Sequence, residues 1–72
     1  MLEALQEFGE KLAARRRGMG LSQKQVADLA GISVPSVIAA EAGKQTLQLN
    51  ILVAILEVLG LKLSAEEAGH YA

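Results

Sequence analysis

An all-α domain, a small bundle of four to five helices, is what this 72-residue sequence predicts. Three observations lead there. Apolar residues recur at three- and four-residue steps from Leu2 to Arg17, the spacing of one helical face. Two short helical stretches, residues 22–30 and 34–42, are separated by little more than a glycine. Residues 49–59 are apolar almost throughout, enough for a buried helix but well short of the roughly 20 residues a bilayer span needs. With 51% of its residues apolar the chain can form a core. At this size one core contributes only a few kcal/mol of net stability, so self-association is expected to add burial.

Helix 1, Leu2 to Arg17, turns Leu2, Leu5, Phe8 and Leu12 to one side and Glu3, Glu7, Glu10 and Lys11 to others. Its acidic residues lie early and its basic ones late, as the helix dipole favours. Gly18 and Gly20 then break it. Ser22 caps helix 2, whose inward residues are expected to be Val26, Ala27, Leu29 and Ala30, and Gly31 supplies the positive φ that ends it. Ser33 caps helix 3, Val34 to Ala42, with Pro35 tolerated in a first turn that needs no amide from it. Two helices joined so tightly must cross steeply, the helix-turn-helix arrangement. Val26, Ala30, Ile32, Val37 and Ala40 are expected to face in, with Ala27 small enough to let the helices approach. Gln23, Lys24, Val34, Pro35, Ser36, Ile38 and Ala39 are left outside or at the rim.

Gly43 ends helix 3, and residues 44–48 lead to helix 4, Leu49 to Leu59. That helix is apolar nearly all round, and the excess calls for a second burial surface on another subunit. Leu52, Ile55 and Leu59 are the expected contributors. After Gly60, Leu61-Lys62-Leu63 alternates as a short edge strand does, and its natural mate is the same strand of a two-fold related copy. Residues 1–63 are thus expected to form the domain and 64–72 a tail. Within the tail Ser64-Ala65-Glu66-Glu67 has capping-box spacing, and His70 and Tyr71 are expected to belong to the tail rather than to a site.

Composition removes several function classes. There is no cysteine and a single histidine, His70, so disulfides, thiolate chemistry and the usual metal sites have no residues to use, and neither metal nor cofactor is expected. Lys11, Glu41 and Ser22 form a nucleophile and base only on paper, because nothing gathers them around a pocket, and no glycine loop cradles phosphate. The chain is read as not an enzyme. Lacking a membrane-length apolar run and the layout of a signal peptide, it is expected to be soluble and cytoplasmic, without a membrane partner.

The net charge of −1 is weak for a nucleic-acid binder, since phosphate neutralisation supplies most non-specific affinity. Its distribution is more telling: Lys11, Arg15, Arg16, Arg17, Lys24 and Lys44 fall around the two short helices, while Glu3, Glu7, Glu66 and Glu67 fall near the ends. Such a run is either a solvated helix face or a phosphate-facing edge.

The chain resembles the phage-repressor, or XRE/Cro-type, helix-turn-helix family. Leu21-Ser22-Gln23, Val26-Ala27, Gly31-Ile32-Ser33, Val37 and Glu41-Ala42-Gly43 carry the likeness, with Phe8-Gly9-Glu10-Lys11-Leu12 and Arg16 upstream and the leucine-rich segment ending at Gly60. The resemblance implies a repressor-like bundle that binds double-stranded DNA as a homodimer on a palindromic operator. It implies a structural ion pair between Arg16 and Glu41. It places Ser33, Val34, Pro35, Ser36 and Ala39 against bases, and Arg15, Arg17, Gln23, Lys24, Lys44 and Gln45, with Thr46 beside them, along phosphates. Leu52, Ile55, Leu59, Leu61, Lys62 and Leu63 would form the dimer interface. Helix 4 followed by Leu-Lys-Leu also resembles the HipB-type antitoxin branch, which implies a toxin or other protein partner.

In one respect the sequence departs from the family. Members typically carry Arg, Gln, Asn, Lys or Thr at several base-reading positions, whereas here only Ser33 and Ser36 are polar among Val34, Pro35, Ile38 and Ala39. Three explanations stand: contact with thymine methyls supplemented by DNA shape, an apolar patch for a protein partner, or packing of Ile38 against the following loop. The expected function is a sequence-specific repressor. The alternative is an antitoxin or adaptor whose main task is to bind a protein.

Overall fold

The computed structural model describes residues 2–65. Four helices follow in order: α1 Leu2–Gly18, α2 Gln23–Ala30, α3 Val34–Glu41 and α4 Leu49–Val58. The Ser64–Glu67 capping pattern runs past the described residues, and His70 and Tyr71 lie outside them.

Local chemistry fixes the α2–α3 corner. The Ser22 hydroxyl accepts the Gln25 amide at 3.0 Å, and the Gln25 carbonyl oxygen accepts the Ser22 amide at 2.7 Å, a complete capping box. Gly31, at φ 71°, ends α2 in the left-handed region, where a Cβ would be strained. The Ile32 amide then reaches back to the Ala27 carbonyl at 3.0 Å, which satisfies a carbonyl the helix end leaves open. Ser33 caps α3 by accepting the Ser36 amide at 3.3 Å, and Pro35 occupies the first turn.

The core lies where the four helices converge: Leu12 of α1, Val26 and Ala27 of α2, Val37 and Ala40 of α3, and Ile55, Leu56 and Leu59 at the end of α4. Phe8, Leu21, Ile32, Val34, Leu47, Ile51, Leu52 and Val58 pack around it. Helix α1 lies hard against the end of α3, an approach that Gly9 alone permits on the α1 side. A Cβ there would stand 2.7 Å from the Glu41 carbonyl carbon and 2.8 Å from the Ala40 carbonyl oxygen.

Several expectations need correction. Leu29 is 67% exposed rather than inward, because an eight-residue helix resting on Val26 and Ala27 has no neighbour on that flank. Ile55 and Leu59, expected at a subunit interface, are each 1% exposed. They form the floor of the chain's own core, so a second subunit cannot reach them. The first helix continues through Gly18, and the break comes at Gly20 with φ 73°. Residues 61–65 have no regular secondary structure within the chain, and the strand expected at 61–63 would take its ladder partner from a second copy.

Candidate nucleic-acid interface

Positions 37, 40 and 41 of α3 turn inward, which leaves the opposite side free. Pro35, Ser36 and Ala39 on that side share a depression of about 360 Å³ with Lys44, Thr46, Leu47, Gln48 and Ile51 from the following loop and the start of α4. The structure therefore brings together three of the expected base contacts and Lys44. Ser33 stands beside them, its hydroxyl 2.9 Å from that of Ser36. Val34 does not line the depression and packs half-buried against the core. Gln45 lines a separate, smaller cavity with Leu5, Phe8 and Leu52. Gln48 and Ile51 complete the depression although sequence reasoning passed over them, for nothing local marks the start of α4 as a wall for α3.

The inner side of α3 is held by one carboxylate. Arg16 Nε donates to Glu41 Oε2 at 2.6 Å and Arg16 Nη2 to Glu41 Oε1 at 3.1 Å, a two-point pair with both side chains 11% exposed. Gln23 Nε2 donates to the same Glu41 Oε1 at 3.0 Å, and Arg16 Nη1 donates to the Leu21 carbonyl at 2.9 Å. Glu41 thus ties α1, the start of α2 and the end of α3 together. Burial acts to raise the Glu41 carboxyl, but hydrogen bonds from Arg16 and Gln23 and the charges of Arg16 and Arg17 outweigh it and hold the group below its usual value. The hydrogen bond to Glu41 holds the Arg16 guanidinium protonated beyond its ordinary range, against the effect of burial.

Gln23 was expected on phosphate. Its half-buried amide is partly committed to Glu41, because an ionised carboxylate accepts only, and the NH2 group must face it. One N–H and the carbonyl oxygen stay available. No signal in the sequence announces this link across 18 residues.

The cations have different local surroundings. Lys24 pairs with Asp28 one turn on at 2.9 Å, with both side chains largely in solvent. Arg17 and Lys11 line a shallow depression with Glu7 and Glu10. Arg15, expected on phosphate, donates through Nε to the Leu59 carbonyl at 2.9 Å and lines a groove with Phe8, Leu61, Lys62 and Leu63. Through Nε it closes the end of α4, while the residue stays exposed. In that groove Leu61 is 38% and Leu63 49% exposed, whereas Leu52 packs half-buried beside the core.

Ile38 is 48% exposed and so keeps about half its surface in water rather than packing into the following loop. Ser22 is engaged with Gln25, and Glu41 with Arg16 and Gln23. Among the described residues no helix is long and apolar enough to cross a membrane.

Residues 12–65 match the family described as helix-turn-helix. Over 55 residues the chain is 36% identical to an uncharacterised HTH-type transcriptional regulator of Haemophilus influenzae, a stretch that takes in 76% of this chain and 56% of that relative. The chain therefore spans about half the length of the curated relative it matches.

Proposed function

This chain belongs to the helix-turn-helix family, and from that premise we propose that it is a DNA-binding transcriptional regulator, a repressor acting as a homodimer on a palindromic operator. One observation carries the reading: α3 is anchored through its inner side, chiefly by Val37, Ala40 and Glu41, and presents Pro35, Ser36 and Ala39 beside Lys44 on the other. A reading helix needs that division, since it must be rigid towards the protein and open towards the groove. Lys44, Gln45, Lys24 and Arg17 supply phosphate contacts, and Gln23 offers its remaining N–H at the start of α2. The exposed Leu61 and Leu63, with Lys62 between them, supply the dimer surface that the buried end of α4 cannot. A cytoplasmic location goes with this reading.

Selection from a random duplex library at two salt concentrations, with the protein's mass measured in the same buffer, tests this. A dimer enriching a palindrome with half-sites about 34 Å apart is the expected result. A dimer with only weak binding that salt abolishes counts against it.

The half-exposed Ile38 on α3 favours a second reading, an antitoxin or adaptor whose outer face also binds a protein. Co-expression with the neighbouring reading frame and co-purification tests it. Recovery of no stoichiometric partner leaves the solitary repressor.

A further inference from the structure

Resting on the DNA-binding reading, we propose that α3 selects its site through thymine methyl groups, so that the bases beneath Pro35, Ser36 and Ala39 belong to A·T pairs. The argument is one of donors. Guanine is normally singled out by two parallel donors on O6 and N7, and adenine by a donor and acceptor pair on N6 and N7. The outward side of α3 carries no Arg, Lys, Asn or Gln. Its polar atoms are the Ser33 and Ser36 hydroxyls, and these lie 2.9 Å apart and share a hydrogen bond. Of their two hydroxyl hydrogens one is used between them and one remains, which is too few for a two-point contact to guanine.

What the helix does present is apolar and small. Pro35 is exposed, Ala39 is half-buried in the depression, and Ile38 flanks them at 48% exposure. Across the major groove the one apolar group on a base edge is the thymine C5-methyl. A short side chain such as Ala39 lets the helix backbone approach closely enough to cover it. The hydroxyl pair then adds a single donor or acceptor, which adenine N6 or thymine O4 can meet. The other donors lining the depression, Lys44, Thr46 and Gln48, lie outside α3, in the loop and at the start of α4.

The test uses the full chain and two random duplex libraries, one ordinary and one in which deoxyuridine replaces every thymidine. Deoxyuridine keeps the pairing and the O4 acceptor and lacks only the methyl. The selected ordinary duplex is expected to weaken about fourfold for each contacted thymine replaced, the effect of one buried methyl, with its salt dependence unchanged. Ala39→Gly is expected to shrink the thymidine-over-deoxyuridine ratio at one position; if that variant does not fold, the comparison on the unaltered protein stands alone. Equal binding of the thymidine and deoxyuridine duplexes overturns the proposal. So does a selected core of G·C pairs, which would transfer readout to Lys44 and Gln48. If no duplex binds at either salt concentration, the DNA-binding reading itself falls, an outcome distinct from tight binding indifferent to the methyl.

Discussion

Gly9→Ala isolates the contact on which the orientation of α3 depends. The added Cβ would lie 2.7 Å from the Glu41 carbonyl carbon and 2.8 Å from the Ala40 carbonyl oxygen, and nearer still to the Glu41 carbonyl oxygen. Comfortable carbon–oxygen contact begins at about 3.3 Å, so α1 and the end of α3 must separate by about half an ångström or more. These obstacles are backbone atoms at a helix end, and no side-chain rotation relieves them. Overpacking of this kind costs about 1–3 kcal/mol, and the contact geometry places Gly9 in the upper part of that range. Replacing a mid-helix glycine by alanine returns about 1 kcal/mol. The net expectation is a loss of roughly 1–2 kcal/mol, which for a domain of this size lowers Tm by roughly 5–15 °C. Gly18→Ala in the same helix is the matched control: nothing lies within 4 Å of its Cβ, so it is expected to gain up to about 1 kcal/mol. Thermal unfolding of both variants by circular dichroism reads the difference. A Gly9→Ala protein as stable as the unaltered chain, or more so, refutes the reasoning.

Glu41→Ala strands the Arg16 guanidinium, 11% exposed, without its partner; a loss of about 3 kcal/mol in urea unfolding is expected, against a few tenths for Lys24→Ala in its solvent-exposed pair. Against burial, which acts to raise it, the Glu41 carboxyl is held below the ordinary carboxylate range in the folded state, chiefly by the hydrogen bonds from Arg16 and Gln23. Its contribution is therefore present in full above the ordinary carboxylate range and is lost as pH falls through the lowered folded value, and Glu41→Gln should flatten that acid limb of the stability curve. Lys44→Ala should weaken all duplexes alike and reduce the salt slope by about one ion, while Arg15→Ala, with its guanidinium at the end of α4, should leave the slope unchanged. Leu61→Asp together with Leu63→Asp should convert a dimer to monomers by sedimentation equilibrium and leave helicity intact, since both side chains are exposed.

What was legible in the chain is what short-range chemistry dictates. Ser22 with Gln25, Ser33 with Pro35 and Gly31 each act within a few residues of themselves, so the α2–α3 corner follows from reading them in order. Leu29 was misplaced for a related reason: helical spacing says which residues share a side but not how wide a neighbour will cover it, and α2 is covered only along Val26 and Ala27. The same ambiguity affects α4. A helix apolar all round does not disclose which stripe meets its own domain, and the stripe ending in Ile55 and Leu59 was assigned to another subunit. The family resemblance puts Arg15 and Gln23 along phosphates and is silent on the hydrogen bonds each makes inside the chain. Their partners, the Leu59 carbonyl and the Glu41 carboxylate, are 44 and 18 residues distant and could be identified only in three dimensions.

The division of α3 into an anchored side and an open side separates two kinds of change that most helices entangle. The side chains that tie α3 to the core are those of Val34, Val37, Ala40 and Glu41, and the side chains of Pro35, Ser36 and Ala39 take no part in those ties beyond the first-turn cap. Ala39 in particular can be exchanged for a longer polar side chain at little cost in folding free energy, and Pro35 and Ser36 for others that suit a first turn. With α3 reading DNA as proposed above, a lineage could therefore move from one site to another by single substitutions, each intermediate remaining folded. For an engineer the same separation makes this domain a scaffold whose readout can be rewritten position by position, with Glu41 and Gly9 as the residues to leave alone.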